Sequence, residues 1–418
     1  MTTQTSLVSA QNRIEAPFIV IQVGDYTFGT YSAKEDKEHK RISFPNYVKS
    51  LNVKKVNGTV NTYNIKIVYP ITEKDDPNLL ERIFSTISDS RIIHLQYGDS
   101  MTPNYIFKEE EVIVSKITSQ IDFKASRIDY TISAVSNSIN LTAGVENFPA
   151  KFAKPSDEIK RIFNDSRYGL LDLFYGMKSY KNNLEKFIPG DDKPVNLEGK
   201  ENVSVLTYIN YLVNCMCSWK DDPRAKLKQN RYYWAVFDDI SNEYGGPYIK
   251  IVQVTNHINY NIQYNTYEID VGYPAGNFVT NFSINNDGSW SILYKHANDI
   301  QLPEYTYIID NNGKLIPDSS SSLMTSKKYT YETEASRTWW SNMTQYPISA
   351  KITIKGLLRP AILMSHVRVN AYFYGNKHIS SGLYIINQQE DSIDNQGYRT
   401  TLTLTRISGD AQMNDIYN

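Results

Sequence analysis

The chain has 418 residues, which is too many for one ordinary hydrophobic core and fits two to four domains. Hydrophobic residues make up 41% and charged residues 21%, values that exclude an intrinsically disordered chain. Lys and Arg number 44 against 45 for Asp and Glu, so no overall field favours binding to nucleic acid or anionic lipid.

The first residues give no targeting signal. Residues 1–15 are polar and lack the apolar core of a signal peptide, so we expect an N-terminal arm on a protein made in a cytoplasm. No run approaches the roughly 20 apolar residues of a membrane span. Cys215 and Cys217 lie one residue apart with no other cysteine to pair with, which excludes a disulfide framework.

A first β-rich module is predicted over residues 16–145, in the order hairpin, helix, strand, loop, hairpin. A strand over 17–31 opens it, and Asn57-Gly58 between two alternating runs predicts a two-residue hairpin turn. Asp76 as N-cap and Pro77 in the first turn predict a helix whose apolar stripe covers the sheet. The remaining predicted strands of this module are 91–97, 111–123 and 127–135.

The same order of elements returns near the C-terminus, which is typical of an internal duplication. A second module is predicted over 272–299 and 331–410, with residues 300–330 as an inserted loop region. Its predicted elements are a hairpin of 278–284 with 289–295, a helix over 331–345, strands over 348–354 and 365–374, and a final hairpin of 382–389 with 400–406. Tyr374-Gly375 at the end of one strand repeats Tyr97-Gly98 in the first module.

Between the modules the pattern changes to an α+β middle domain, predicted over 150–271. Helical spacing of apolar residues over 157–164 and 203–219 predicts two short core-facing helices. A hairpin of 232–238 with 248–255 is expected to turn at Tyr244-Gly245-Gly246-Pro247. The fold class is therefore α+β and β-rich, with two tube-like antiparallel β-barrel modules, a packed helix in each, and the middle domain.

Histidine and cysteine spacing gives no support for a metal site. None of the six histidines has the His-x-x-x-His spacing that places two ligands on one helical face. His94 and His366 lie on corresponding predicted strands, and we interpret them as partly buried strand residues rather than shared ligands. Cys215 and Cys217 point in different directions on a helix and are interpreted as small apolar side chains.

Other patterns of chemistry are equally absent. Neither a phosphate-binding Gly-rich loop nor a Gly-x-Ser-x-Gly nucleophile turn occurs. Residues 285–289 lack the spaced oxygen ligands of a calcium loop and are interpreted as a hairpin turn. Glu109, Glu110 and Glu111 are interpreted as a solvated strand edge, since neighbouring strand residues alternate faces. We therefore expect no catalytic residue, no cofactor and no metal.

Two surface features could contact a partner. Trp339 and Trp340 are adjacent on the second predicted helix, so both cannot face one core, and one is a candidate interface anchor beside Arg337. We favour one packed and one half-exposed tryptophan. The mixed-charge run over 34–41 is interpreted as a solvated loop.

The order of elements over residues 15–410 resembles the central baseplate hub proteins of contractile-tailed phages, which share their plan with the hub portion of type VI secretion spike proteins. The segments that carry the resemblance are Tyr130–Ser136, Glu332–Gln345, Val367–Gly375 and Gly382–Ile386 with Leu402–Leu404. The chain departs from fused members because nothing after Gly409 forms a spike, so a separate spike protein is expected.

The resemblance implies a structural virion protein without enzymatic activity. It implies a homotrimer whose six modules join a six-fold tail tube to a three-fold spike, contact other baseplate proteins and surround DNA in transit. The expected location is the phage tail baseplate, assembled in the host cytoplasm. The alternatives are a carbohydrate-binding or host-adhesion β-protein, a cell-wall hydrolase of a tail tip, and a distal-tail or tail-tip hub of a non-contractile phage.

Overall fold

The computed structural model defines the backbone of most predicted elements. It describes residues 5–6, 17–29, 42–45, 47–72, 76–85, 92–99, 107–192, 194–216, 218–220, 229–241, 244–254, 266–272, 279–286, 306–309, 315–318, 348–355, 363–373, 376–378 and 380–409. No helix within these residues is long and apolar enough to cross a membrane.

The N-terminal part of the chain forms a curved, mostly antiparallel sheet with one helix. Its elements are β1 (Thr5–Ser6), β2 (Pro17–Val23), β3 (Tyr26–Gly29), β4 (Ile42–Pro45), β5 (Val48–Val56), β6 (Thr62–Pro70), α1 (Leu79–Ser85), β7 (Ile92–Asp99), β8 (Phe107–Asp122) and β9 (Arg127–Val135). The predicted single strand over 17–31 is wrong. Gly24 has a φ of +53° and turns the chain between β2 and β3, which pair as a hairpin.

Strict alternation on β6 explains why this sheet has one buried face. Tyr63, Ile65, Ile67 and Tyr69 are buried, and the residues between them face outward. Leu80, Ile83 and Phe84 of α1 belong to the same hydrophobic cluster. The helix therefore covers the sheet, as the apolar stripe in the sequence predicts.

The middle of the chain packs three helices against small sheets. Its elements are β10 (Glu146–Phe148), β11 (Lys151–Ala153), α2 (Pro155–Asn164), α3 (Leu170–Leu173), β12 (Val195–Leu197), β13 (Lys200–Val203), α4 (Val205–Cys215), β14 (Ser218–Lys220), β15 (Gln229–Ser241) and β16 (Gly246–Val254). Both predicted helices and the predicted hairpin are present. Helix α4 ends at Cys215, before the predicted end at 219, and β14 follows it.

The C-terminal part of the chain forms the second half of the large sheet. Its strands are β17 (Thr266–Gly272), β18 (Val279–Asn286), β19 (Thr306–Ile309), β20 (Leu315–Asp318), β21 (Ile348–Lys355), β22 (His366–Phe373), β23 (Asn376–Lys377), β24 (Gly382–Asp394) and β25 (Gly397–Gly409). Strands β19 and β20 pair only with each other and lie within the predicted insertion. The predicted strand over 289–295 and the predicted helix over 331–345 lie outside the described residues.

The two halves repeat one order of strand pairing. In the first half the order is β2-β7-β8-β9-β6-β5, and in the second it is β17-β22-β24-β25-β21-β18. Strand β18 thus pairs with the distant β21, whereas its counterpart β5 pairs with the adjacent β6. The two halves differ in the direction of their first strand. Strand β2 runs antiparallel to β7, whereas its counterpart β17 runs parallel to β22. The fold class predicted from the sequence is confirmed.

Candidate assembly surface

A β-bulge lies at the same place in both halves and fixes their alignment. Ser115 is the extra residue of β8 opposite β9, and Asn387 is the extra residue of β24 opposite β25. Each bulge lies the same distance before the last paired residue of its strand, Asp122 or Asp394. Position by position, the second half therefore repeats the first.

The two halves join along one continuous sheet. The outer part of β24, residues 388–393, pairs antiparallel with residues 51–56 of β5, so the first half and the second half share sixteen strands. Ile393 and Tyr398 of the second half belong to the hydrophobic cluster of the first. We call this contact between β24 and β5 the module junction.

The alignment identifies a matching edge that has no partner. The outer part of β8, residues 116–121, corresponds to the part of β24 that pairs with β5. Within the described residues, no strand pairs with this part of β8 on the side opposite β9. Strand β18 corresponds to β5, and the only described strand that pairs with it is β21. Among the described strands, both edges of a second junction are therefore present without a partner.

Exposed apolar side chains mark both unpaired edges. Ile121 on β8 is 53% exposed, whereas its counterpart Ile393 in the module junction is 3% exposed. Ile284 on β18 is 39% exposed, whereas its counterpart Val53 is fully buried. Exposed edges with large apolar residues invite pairing with another chain.

A polar cluster is buried beside the module junction. Lys55 Nζ donates to Glu110 Oε1 at 2.6 Å, and Tyr97 OH donates to the same oxygen at 2.9 Å. Tyr63 OH donates to Glu110 Oε2. On β24, Asp391 accepts hydrogen bonds from Gln389 Nε2, Tyr398 OH and Thr400 Oγ1.

Burial and charge act in opposite directions on this cluster. Burial by itself raises the pKa of the Glu110 carboxyl, but the Lys55 ammonium and the two tyrosine hydroxyls bring that pKa below its ordinary value. Burial also lowers the pKa of Lys55, yet Glu110 and Asp391 leave it raised. Both groups are therefore charged at neutral pH.

The interpretation of residues 109–111 as a solvated edge is wrong for Glu110. Its side chain is buried in the interior of the first module, where Lys55 donates to it, because side chains on β8 alternate between faces and Glu110 is on the inward face. Glu111 is exposed, as expected. Lys55 lies on β5, which does not pair with β8, so no local pattern in the sequence places Lys55 beside Glu110.

The two strand histidines do not occupy equivalent positions. His94 lies opposite Glu111, whereas His366 lies opposite Ile385, which corresponds to Ile113. His94 Nδ1 lies 3.4 Å from Glu111 Oε1, and His94 is partly buried, as the sequence predicts. No group of three or more potential metal-ligating side chains occurs among the described residues.

The other candidate residues divide between buried and undescribed positions. Cys215 is buried, and burial raises the pKa of its thiol to about 12, so it is an unreactive thiol. Cys217, Trp339 and Trp340 lie outside the described residues, as do the mixed-charge run 34–41 and residues 287–289 of the proposed hairpin turn. Tyr374-Gly375 also lies outside them.

No family model and no curated protein sequence matches the chain. Among solved structures, the chain is similar to a 43 kDa tail protein of prophage MuSo2 from Shewanella oneidensis. The two sequences are 10% identical, and the match covers 94% of this chain and 97% of that chain with a TM-score of 0.49. A tail protein from Neisseria meningitidis MC58 shows 9% identity, 93% and 96% coverage, and a TM-score of 0.47.

A third similar structure is a PdpA–VgrG complex from Francisella. It shows 11% identity, covers 96% of this chain and 60% of that chain, and has a TM-score of 0.46. These three structures are therefore a prophage tail protein, a tail protein and a VgrG complex.

Proposed function

We propose that this chain is a structural, non-enzymatic virion protein and forms the trimeric central hub of a phage tail baseplate. The hub joins the six-fold tail tube to a three-fold central spike and lines the channel through which DNA is ejected. The protein acts in the virion after assembly in the host cytoplasm. It makes and breaks no covalent bond.

Symmetry supports this proposal. A chain that carries the same module twice gives a trimer six modules, arranged around one axis. One face of such a ring presents six equivalent surfaces to a tail tube ring, while the trimer itself keeps the three-fold symmetry of a spike. We assign the two modules to residues 16–145 and to 272–299 with 331–410, and we include β17 in the second module because it pairs with β22.

The observation that carries the proposal is the exposure of Ile121 at the free edge of β8. Its counterpart Ile393 is buried because β5 pairs with β24 in the same chain. Pairing of β18 from a second copy with β8 reproduces that junction and buries Ile121 and Ile284. Burying one such side chain contributes about 1.5–3 kcal/mol. The contact is head-to-tail and forms a closed ring when three copies meet.

The register of the proposed contact follows from the module junction. Ile393 faces Leu51 and Ser392 faces Asn52 within the chain. The corresponding pairs between chains are Ile121 with Phe282 and Gln120 with Ser283. Gln120 and Ser283 are both exposed in the single chain, so neither has to leave a core to form the contact.

The remaining parts of the chain are assigned to partners. The middle domain, from residue 150 up to the start of β17, and the inserted region 300–330 face the spike, which is a separate protein. The modules contact the tail tube ring and other baseplate proteins, and DNA contacts the interior only in transit. An N-terminal arm, residues 1–15, precedes the first module.

A pair of engineered cysteines tests the ring. The double variant Gln120→Cys/Ser283→Cys places one thiol on each free edge, at directly opposed positions about 5 Å apart. Under mild oxidation of the full chain at high concentration, we expect disulfide-linked dimers and a closed trimer of about 144 kDa, three times the 48.0 kDa chain. Denaturing electrophoresis without reductant gives the readout, and negative-stain images of the product show a three-fold ring with a pore.

The matched control is the double variant Asn52→Cys/Ser392→Cys. These residues face each other across the module junction, so this pair closes within one chain and stays at monomer mass. If the control pair closes while Gln120→Cys/Ser283→Cys yields no linked species, the ring is wrong. A monomer with affinity for glycans would then favour the carbohydrate-binding alternative.

A further inference from the structure

A solvent-connected cavity of about 150 Å³ lies between the first module and the middle domain. Glu110 and Glu111 of β8 and His94 of β7 line it from the module. Tyr175 and Asp238 line it from the middle domain. A cavity of this volume accepts a group about the size of benzene.

Asp238 is held in this cavity by an unusual backbone. It lies at a β-bulge of β15, where the register with β16 shifts, and its φ is +49°. Its Oδ2 accepts a hydrogen bond of 3.1 Å from the Ser138 backbone N–H. Asp238 is 5% exposed, and the Ser136 and Ser138 side chains also lie beside its carboxyl and lower its pKa. Within the described residues no donor lies at hydrogen-bond distance from Oδ1. A buried carboxylate oxygen without a donor indicates a missing partner.

The cavity has an excess of negative charge. Of its three carboxylates, Glu110 is neutralised by Lys55, which donates to it at 2.6 Å. His94 lies 3.4 Å from Glu111 at the mouth and carries charge only when protonated. Among the described residues no lysine, arginine or histidine donates to Asp238 Oδ1. The lining therefore attracts a cation and repels an anion.

An aromatic wall completes the lining. Tyr175 is 43% exposed and packs against the backbone at Gly246, where an added Cβ collides with the tyrosine ring. Only glycine at 246 lets the ring take this position beside the cavity. Aromatic ring faces attract ammonium and guanidinium groups, which strengthens the preference for a cation.

We propose that this cavity binds one organic cation, a primary ammonium or guanidinium group, which donates a hydrogen bond to Asp238 Oδ1 and lies against Tyr175. The group comes either from a free small molecule or from a lysine or arginine side chain of a partner protein. A metal ion is not the ligand, since the described residues contain no cluster of three metal-ligating side chains. The binding is independent of the trimeric ring.

Calorimetric titration of the full chain tests the proposal. The probes are ethylguanidinium, its neutral isostere ethylurea, and arginine blocked as N-acetyl-arginine amide. We expect the two guanidinium compounds to bind with dissociation constants at or below about 10 mM and ethylurea not to bind. If blocked arginine binds about tenfold more tightly than ethylguanidinium, the natural ligand is a side chain of a partner protein. If ethylguanidinium binds more tightly than blocked arginine, the natural ligand is a free cation.

Two variants and one control connect the binding to the cavity. Asp238→Asn keeps the shape and removes the charge, and we expect it to weaken ethylguanidinium binding at least about tenfold. Gly246→Ala displaces Tyr175 and weakens binding as well. Asp172→Asn removes an exposed carboxylate of the middle domain and leaves binding unchanged. The proposal is wrong if ethylurea binds as well as ethylguanidinium, if no probe binds, or if Asp238→Asn, folded by circular dichroism, binds like the native chain.

Discussion

Lys55 and Glu110 form an ion pair in the interior of the first module, with 2.6 Å between Lys55 Nζ and Glu110 Oε1. Lys55 lies on β5, the strand that also pairs with β24 at the module junction. Two tyrosine hydroxyls donate to the same carboxylate. Both carboxylate oxygens of Glu110 thus accept a hydrogen bond, and the Glu110 carboxylate is the counter-ion of the Lys55 ammonium group.

Removing one partner of this pair leaves a buried charge without compensation. We expect Lys55→Met to lower the free energy of unfolding by about 3–5 kcal/mol. Urea denaturation of the full chain measures the change. Lys178→Met, which breaks the exposed pair with Asp172, is the control and changes stability by less than about 0.5 kcal/mol. A loss below about 1 kcal/mol for Lys55→Met contradicts a fully buried pair.

Ile121 and Ile393 occupy equivalent positions but differ in what covers them. We expect Ile393→Ala to lower the free energy of unfolding by about 2–5 kcal/mol, because it opens a cavity in the core. Ile121→Ala changes it by less than about 0.5 kcal/mol. The same Ile121→Ala variant weakens self-association at least about tenfold in sedimentation experiments, since its side chain is buried only between chains. Normal assembly of Ile121→Ala contradicts the proposed β8–β18 contact.

Asp238 makes stability depend on pH with a definite sign. Burial raises the pKa of its carboxyl above the ordinary value of 3.8, hydrogen bonds from Ser136 and Ser138 oppose the rise, and the nearby charge of Glu110 adds a smaller increase. As the pH rises above 3.8, the unfolded chain releases this proton while the folded chain still holds it. The free energy of unfolding therefore falls with rising pH until the folded-state pKa is passed. Asp238→Asn removes this cost.

We therefore expect the stability gain of Asp238→Asn over the native chain to grow as the pH rises above the ordinary carboxyl pKa of 3.8. Unfolding by urea at several pH values measures the difference. Asp172 provides the contrast, since its hydrogen bond with Lys178 lowers the pKa of that exposed carboxyl, and Asp172→Asn shows no such gain. A gain that is constant with pH contradicts the raised pKa of Asp238.

Gly58 connects the β5–β6 turn to the middle domain. Its φ is +72°, its N–H donates to the Ala235 carbonyl at 2.6 Å, and its carbonyl accepts from Asn210 Nδ2 at 2.7 Å. An added Cβ would lie 3.0 Å from Asn210 Oδ1. We expect Gly58→Ala to lower the free energy of unfolding by at least about 1–2 kcal/mol.

Gly24 is the matched control for this substitution. It also turns a hairpin with a positive φ, but an added Cβ meets nothing within 4 Å. Gly24→Ala therefore costs only the backbone strain, about 1 kcal/mol. Thermal and urea unfolding measure the loss of stability in both variants. Equal losses in the free energy of unfolding contradict a close contact between Gly58 and the middle domain.

Local patterns predicted most elements because each pattern depends on a few neighbouring residues. Alternation along β6, the Asn57-Gly58 turn and the apolar stripe of α1 all identify structure within one short segment. The turn at Gly24 was missed because a single glycine in an apolar run also fits a continuous strand. Helices α2 and α4 of the middle domain were found by the same spacing of apolar residues, whereas the four-residue α3 was not predicted.

The sequence by itself determined that the chain is β-rich and that an order of elements occurs twice, because both properties follow from local periodicity. Only the tertiary structure decided that β24 pairs with β5, that Glu110 meets Lys55, and that β8 and β18 present matching edges without a partner among the described strands. These contacts join residues far apart in the chain, and β-strands of similar composition can pair in many registers. Packing of the whole sheet selects one of them.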